Sequence, residues 1–186
     1  MNQIETEVKY KIRATDVAEI IIRAKDEGFV ASESEAIRDC FLSIAPSPHG
    51  GWDFVRLRSV DGLTFCRTEK RWIADTAGRR IRLEKEREIA ESTFKRLSRK
   101  RMGVEIRKER TNLKGRAFGR KITVSIDAVT VGGKTYHFIE GEAITDVESS
   151  HSVRAEIQSW LHRTLGVRAK KEAPSMLDFI WSVTKK

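Results

Sequence analysis

Acidic and basic residues in this chain recur in pairs two positions apart. The acids pair as Glu5 and Glu7, Glu84 and Glu86, Glu140 and Glu142; the bases pair as Arg56 and Arg58, Lys108 and Arg110. Spacing of two puts both members on one face of an extended strand. Carboxylates gathered that closely do not all stay ionised without compensation, so the acidic pairs point to a bound cation. An all-oxygen donor set suits a hard divalent ion, Mg2+ or Mn2+, which keeps waters and accepts phosphate oxygens. The basic pairs suit phosphate, arginine through two parallel N–H donors and lysine as a point charge. Seven acids (Glu5, Glu7, Glu84, Glu86, Asp127, Glu140, Glu142) stand against seven bases (Lys9, Arg56, Arg58, Lys70, Arg82, Lys108, Arg110). A cavity lined by all of them would be near neutral, and a metal and a polyphosphate would enter it as a compensating pair.

The elements that position these residues read mostly as strands. Ile4, Val8, Tyr10 and Ile12 alternate with Glu5, Glu7, Lys9 and Lys11. Residues 37–44 form a second strand, and Val55 and Leu57 oppose Arg56 and Arg58 in a third. Asp61-Gly62 is a hairpin turn into residues 63–71. Ile81, Leu83 and Ile89 oppose Arg82, Glu84, Glu86 and Glu88; residues 104–111 carry Lys108 and Arg110 together. Ile122, Val124 and Ile126 oppose Thr123, Ser125 and Asp127, and Val131-Gly-Gly133 turns the chain into 136–143. That makes about eight strands, mostly antiparallel. Four helices are expected: one opened by an Asp16/Glu19 capping box and closed by Gly28, one from Ser92 through Arg101 to Gly103, one over Val153–Thr164 stopped by Gly166, and one opened by Ser175 and Asp178.

Length and composition bound the reading. The chain has 186 residues, 36 Lys and Arg against 27 Asp and Glu, a net charge of +9, 34% charged and 39% apolar residues. That suits a single domain spanning 1–186. Apolar content this high excludes a disordered chain, and 3 Pro with 12 Gly exclude a collagenous one. No apolar run approaches the ~20 residues of a membrane helix. The first residues carry carboxylates where a secretory signal carries cations, so a soluble cytoplasmic protein with no membrane partner is expected. Cys40 and Cys66 are expected as buried free thiols, and the four histidines lack zinc-ligand spacing.

Two arrangements fit the alternation. One is a sheet with an apolar face and a solvated face. The other is a closed barrel, apolar outside under its helices and charged within. Few Thr, Ser or Gln residues stand on the charged faces, which favours the second.

In order along the chain, Glu5-Thr-Glu-Val-Lys9, Arg56-Leu-Arg58, Thr68-Glu-Lys70, Arg82-Leu-Glu-Lys-Glu86, Lys108-Glu-Arg110, Ser125-Ile-Asp127 and Phe138-Ile-Glu-Gly-Glu142 resemble the motifs of the CYTH superfamily, the triphosphate tunnel metalloenzymes. The closing Pro174-Ser-Met-Leu-Asp-Phe-Ile180 resembles the family's terminal helix, with Met176 where Tyr is usual. The resemblance implies a β-dominated α+β fold, an eight-stranded antiparallel β-barrel forming a triphosphate tunnel with helices packed outside. It implies Glu5, Glu7, Asp127, Glu140 and Glu142 as ligands of Mg2+ or Mn2+. Lys9, Arg56, Arg58, Lys70, Arg82, Lys108 and Arg110 would grip phosphates, and Lys9, Lys108, Arg110, Glu84 and Glu86 would serve catalysis. An alternative register puts Cys66 at the lysine position taken here by Lys70. Asp39-Cys-Phe-Leu-Ser43 departs from the family's Asp-x-Tyr-x-Asp, which leaves the role of Asp39 open.

The function this implies is metal-dependent hydrolysis of a triphosphate: inorganic tripolyphosphate, thiamine triphosphate or a nucleoside triphosphate. The alternative is a class IV-type adenylyl cyclase, which makes cyclic AMP and pyrophosphate from ATP. A non-catalytic nucleic-acid-binding module is the third reading. It would use Lys95–Arg101 and Arg110–Lys121 but leaves the acidic pairs unexplained, so nucleic acid is not the expected partner; a triphosphate-containing small molecule is. Lys95–Arg101 is read as a solvated helix face. Trp52 and Trp72 are the aromatic residues best suited to cover a base. Monomer and homodimer both stay open.

Overall fold

The computed structural model describes residues 3–74, 80–100, 105–146 and 148–184. Among these residues nine strands and four α-helices follow in order: β1 (Gln3–Ile12), α1 (Val17–Asp26), β2 (Val30–Ala31), β3 (Glu35–Pro46), β4 (Trp52–Val60), β5 (Thr64–Ala74), β6 (Arg80–Glu88), α2 (Glu91–Ser98), β7 (Glu105–Ala117), β8 (Arg120–Val131), β9 (Lys134–Asp146), α3 (Ser150–Arg163) and α4 (Met176–Thr184). β1 and the seven longer strands after it correspond to the eight predicted strands, several of them longer than periodicity showed. β2, two residues long, is too short to display a period. β7 runs past residue 111 to Ala117, where Phe118 and Gly119, both with positive φ, make a tight turn into β8.

The chain divides into two compact units, residues 1–34 with 109–186 and residues 35–108; β7 contributes to both. In the first, the strand order is β1-β9-β8-β7, with β2 on β7. In the second it is β3-β4-β5-β6. The pairings described within each unit are antiparallel. Among the described residues neither run of strands closes on itself, and the architecture shown is a predominantly antiparallel sheet with four helices.

Alternation in β1, β8 and β9 gives the first unit its core. Val8, Tyr10 and Ile12 lie with Val124, Ile126, Ile139 and Ala143 beneath Ile20 and Ala24 of α1 and Val153, Ile157 and Leu161 of α3. Each such buried aliphatic side chain contributes ~1.5–3 kcal/mol. Gly141 sits on this face. A Cβ there would lie 2.8 Å from Cγ2 of Ile157 and 3.2 Å from Cδ1 of Leu161, so its missing side chain is what lets α3 seat on β9. In the second unit α2 covers Cys40 and Leu57 with Phe94, and Phe65 and Leu97 close the cluster. Both cysteines are buried and neither is in a disulfide, as expected.

Helix ends differ in detail from the sequence reading. The Asp16/Glu19 capping box does not form: Asp16 makes no cap hydrogen bond, and its carboxylate instead accepts from Nε and Nη2 of Arg13 at 3.0 and 2.7 Å. A guanidinium fork three residues away offers two charge-assisted bonds where a cap offers one. Gly28 (φ 82°) and Gly166 (φ 73°) adopt the left-handed conformation just beyond α1 and α3, as their positions predict. α2 begins at Glu91 after Ala90 rather than at a Ser92 cap, and ends at Ser98; the predicted stop at Gly103 lies outside the described residues. Ser175 does cap α4, accepting from the Asp178 N–H at 3.2 Å and donating to the Asp178 carboxylate at 2.6 Å.

Candidate active site

The charged face of the first unit is the face turned away from α1 and α3. Antiparallel register sets Glu7 opposite Glu142 and Lys9 opposite Glu140 across β1 and β9. Thr123 and Ser125 of β8 stand on the far side of the same two glutamates. Lys9 Nζ lies 3.2 Å from one oxygen of Glu140. Arg110, on β7, donates Nε and Nη2 to the two oxygens of Asp127 at 2.6 and 2.8 Å, and Nη2 also reaches Glu140 at 3.3 Å. Asp127 is 1% exposed and Glu140 6%, so this ion cluster is desolvated. Glu5, Glu7, Lys9, Arg110, Asp127, Glu140 and Glu142 thus share one face.

The electrostatics follow from burial. Burial alone would lower the Lys9 pKa, but the charges of Glu140, Glu7 and Asp127 outweigh it and raise it, so Lys9 stays protonated. Arg110 is held charged against its own desolvation by Asp127, Glu140 and Glu142. Glu142 is pushed up to about 7 by burial and by the like charges of Glu5, Glu140 and Glu7. Like charge is therefore concentrated around Glu142.

In the second unit, register sets Asp39 opposite Arg58 and Phe41 opposite Arg56 across β3 and β4. Arg56 stands opposite Thr68, which stands opposite Glu86; Lys70 stands opposite Glu84. Arg58 donates Nε and Nη2 to Asp39 at 2.7 and 2.8 Å, and Nη1 of Arg56 lies 3.5 Å from the same carboxylate. Nη2 of Arg56 is 3.8 Å from Glu84, which Lys70 holds at 2.5 Å. Thr68 donates its hydroxyl to Glu86 at 2.8 Å. Lys108 is buried, and its charge joins those of Arg56 and Arg58 in holding Asp39 ionised against the cost of burial. Lys70 is on the charged face; Cys66, four residues earlier, shares it opposite Arg58. Arg82 lies on β6, but its side chain is outside the described residues.

Some members of these clusters had no assigned role in the sequence. Asp39 is 3% exposed and is the anionic centre of the second cluster. An acid two residues from Ile37 and from Phe41, at the alternation of their strand face, is the signal that could have placed it, since a buried carboxylate needs cationic partners. Ser125 and Asn112, joined by a 2.8 Å hydrogen bond, extend the first cluster. Phe179 of α4 packs edge-on against Tyr136 and Phe138, with ring centroids 4.9 and 5.0 Å away, on the strand face that carries Glu140. Lys11 Nζ lies 4.7 Å from the Tyr136 ring centroid. His137 pairs with Ile12 and Ala128, on the opposite face from Glu140.

Among the described residues no three His, Cys, Asp or Glu side chains are gathered closely enough to hold a metal ion as they stand. The chemistry of the donor set still fits one. The donors are carboxylate oxygens, and the raised Glu142 pKa marks an excess of negative charge that a hard divalent cation would relieve.

No family model and no curated protein matches this sequence. Solved structures do. A protein from Pyrococcus horikoshii OT3 matches with a TM-score of 0.66 at 19% identity, over 93% of this chain and 96% of its own. A candidate adenylate cyclase from Vibrio parahaemolyticus matches with a TM-score of 0.66 at 16% identity, over 98% of this chain and 99% of its own. A candidate adenylyl cyclase from Hippeastrum, described as having a dominant triphosphatase activity, matches with a TM-score of 0.61 at 16% identity, over 97% of this chain and 96% of its own. At near-full coverage in both directions, the chain shares the fold of these proteins.

Proposed function

We propose that this protein hydrolyses a triphosphate with a divalent metal, inside the closed eight-stranded barrel that the family resemblance implies. The observation that carries the reading is the desolvated cluster of Lys9, Arg110, Asp127 and Glu140 beside the crowded pair Glu7 and Glu142. Glu7 and Glu142 face each other there with Glu5 and Glu140 acting on the same carboxyl, and a cation with its polyphosphate would offset this concentration of like charge.

Glu5, Glu7, Asp127, Glu140 and Glu142 would hold Mg2+ or Mn2+, which when bound neutralises phosphate charge. Lys9, Arg56, Arg58, Lys70, Arg82, Lys108 and Arg110 bind the phosphate oxygens. Charge-assisted donors aimed at them also stabilise the transferring phosphoryl group, because phosphoryl transfer depends mainly on positioning and electrostatics. Glu84 or Glu86 orients the water that attacks the terminal phosphorus, and the bond to the bridging oxygen breaks to leave a diphosphate. Two free thiols suit the reducing cytoplasm, where we place the protein.

A second reading keeps the residues and changes the nucleophile. In an adenylyl cyclase the ribose 3′-hydroxyl of ATP attacks the α-phosphorus and releases pyrophosphate. The likeness to candidate adenylyl cyclases favours it, and the dominant triphosphatase activity described for one of them favours hydrolysis.

The deciding experiment is product analysis with ATP and with tripolyphosphate, each with Mg2+ or Mn2+. Orthophosphate supports the proposal. Cyclic AMP with pyrophosphate as the dominant products would replace it with the cyclase, and no metal-dependent product from either substrate would overturn both.

A further inference from the structure

We infer that Asp39 is a positioning residue for the phosphate-binding arginines, fixing Arg58 by a two-pronged contact and drawing Arg56 to the same carboxylate before any anion arrives. The inference rests on the function proposed above. Its structural basis lies wholly within residues 35–108.

The register of β3 and β4 puts Asp39 level with Arg58, and a bulge between Phe41 and Ser43 follows immediately. The Asp39 side chain is 5% exposed, those of Arg56 and Arg58 11% and 16%. Asp39 takes the Nε–Nη2 edge of Arg58 with one oxygen on each nitrogen, which sets the plane of the guanidinium as well as its position. Arg56 approaches from 3.5 Å through Nη1 and lies over the Phe54 ring at 5.9 Å. Its buried Nε has no hydrogen-bond partner among the described residues. A buried donor in that state is available to an acceptor brought by water or by a ligand. One carboxylate thus serves two arginines, and a third cation, Lys108, acts on it through its charge.

An orienting carboxylate has a signature that a merely structural one lacks. Its negative charge opposes an arriving anion, while the geometry it imposes speeds turnover. Asp39→Asn keeps the shape and removes the charge. Binding and rate should therefore move in opposite directions.

The test uses the full chain and tripolyphosphate as probe. Affinity is measured by calorimetry in EDTA, and phosphate release is followed with Mg2+, alongside thermal unfolding of each variant. Asp39→Asn should bind tripolyphosphate about 3–10-fold more tightly and turn over about 10–100-fold more slowly. In an Arg58→Lys background, where the two-pronged contact is already gone, the same substitution should cost less than about 3-fold in kcat. Losses of affinity and rate that track the loss of thermal stability would make Asp39 structural and overturn the inference. So would a folded Asp39→Asn variant with wild-type kcat, or fully additive losses in the double variant. A wild-type protein that neither binds nor cleaves tripolyphosphate overturns the proposed function and this inference with it. One that does both, with Asp39→Asn indifferent, overturns this inference alone.

Discussion

Glu7 of β1 and Glu142 of β9 stand directly opposite each other in the antiparallel ladder, two carboxylates at one rung. Like charges placed so destabilise the sheet unless one is protonated or both are compensated. A pH dependence of stability follows from this pair.

Glu142 has a folded-state pKa of about 7 against an ordinary 4.5. The fold favours its protonated form, so that contribution to stability is complete below the unfolded pKa and is lost as pH rises through the folded one. Urea unfolding in EDTA should show the wild type losing about 2 kcal/mol relative to Glu142→Gln between about pH 4.5 and pH 8, after allowance for partial exposure. Saturating Mg2+ or Mn2+ should remove the difference. Parallel pH profiles for the two proteins would refute the assignment.

Glu5→Gln and Glu7→Gln each replace a hard anionic donor with a neutral amide while leaving the core face of β1 untouched. Each should lower turnover by at least ~100-fold and weaken Mn2+ binding in a titration, with the far-ultraviolet circular dichroism unchanged. Near-normal turnover of either variant at low metal would remove these residues from the metal site.

Lys108→Ala and Arg110→Ala should each lower kcat/KM by roughly 10²–10³, the loss of one charge-assisted contact in a site of reduced dielectric. Arg110→Ala also strands buried Asp127 and should lose ~3–5 kcal/mol of stability, so its kinetics are read well below its melting temperature. His137→Ala, on the other face, should leave kcat/KM within about 2-fold of wild type. A large loss there with little in the other two would overturn the mechanism.

Gly141→Ala places a methyl group 2.8 Å from Ile157 and 3.2 Å from Leu161. Overpacking of this kind costs ~1–3 kcal/mol, which thermal unfolding would register as a lower melting temperature. An unchanged melting temperature would mean that α3 shifts freely on the sheet.

What the sequence determined by itself is local. Period-two alternation assigns Glu5, Glu7 and Lys9 to one strand face and Val8 and Tyr10 to the other, because successive side chains point opposite ways whatever the strand pairs with. For the same reason His137 was separable from Glu140. What only the tertiary structure decided is register and partnership. No local rule says that Glu7 meets Glu142, that Arg110 closes on Asp127, or that Asp39 takes both arginines of β4. A one-residue slip of either strand would exchange the faces and undo these contacts. The Asp16 capping box failed on the same ground: a motif of spacing lost to Arg13, whose fork was within reach only once the chain had turned.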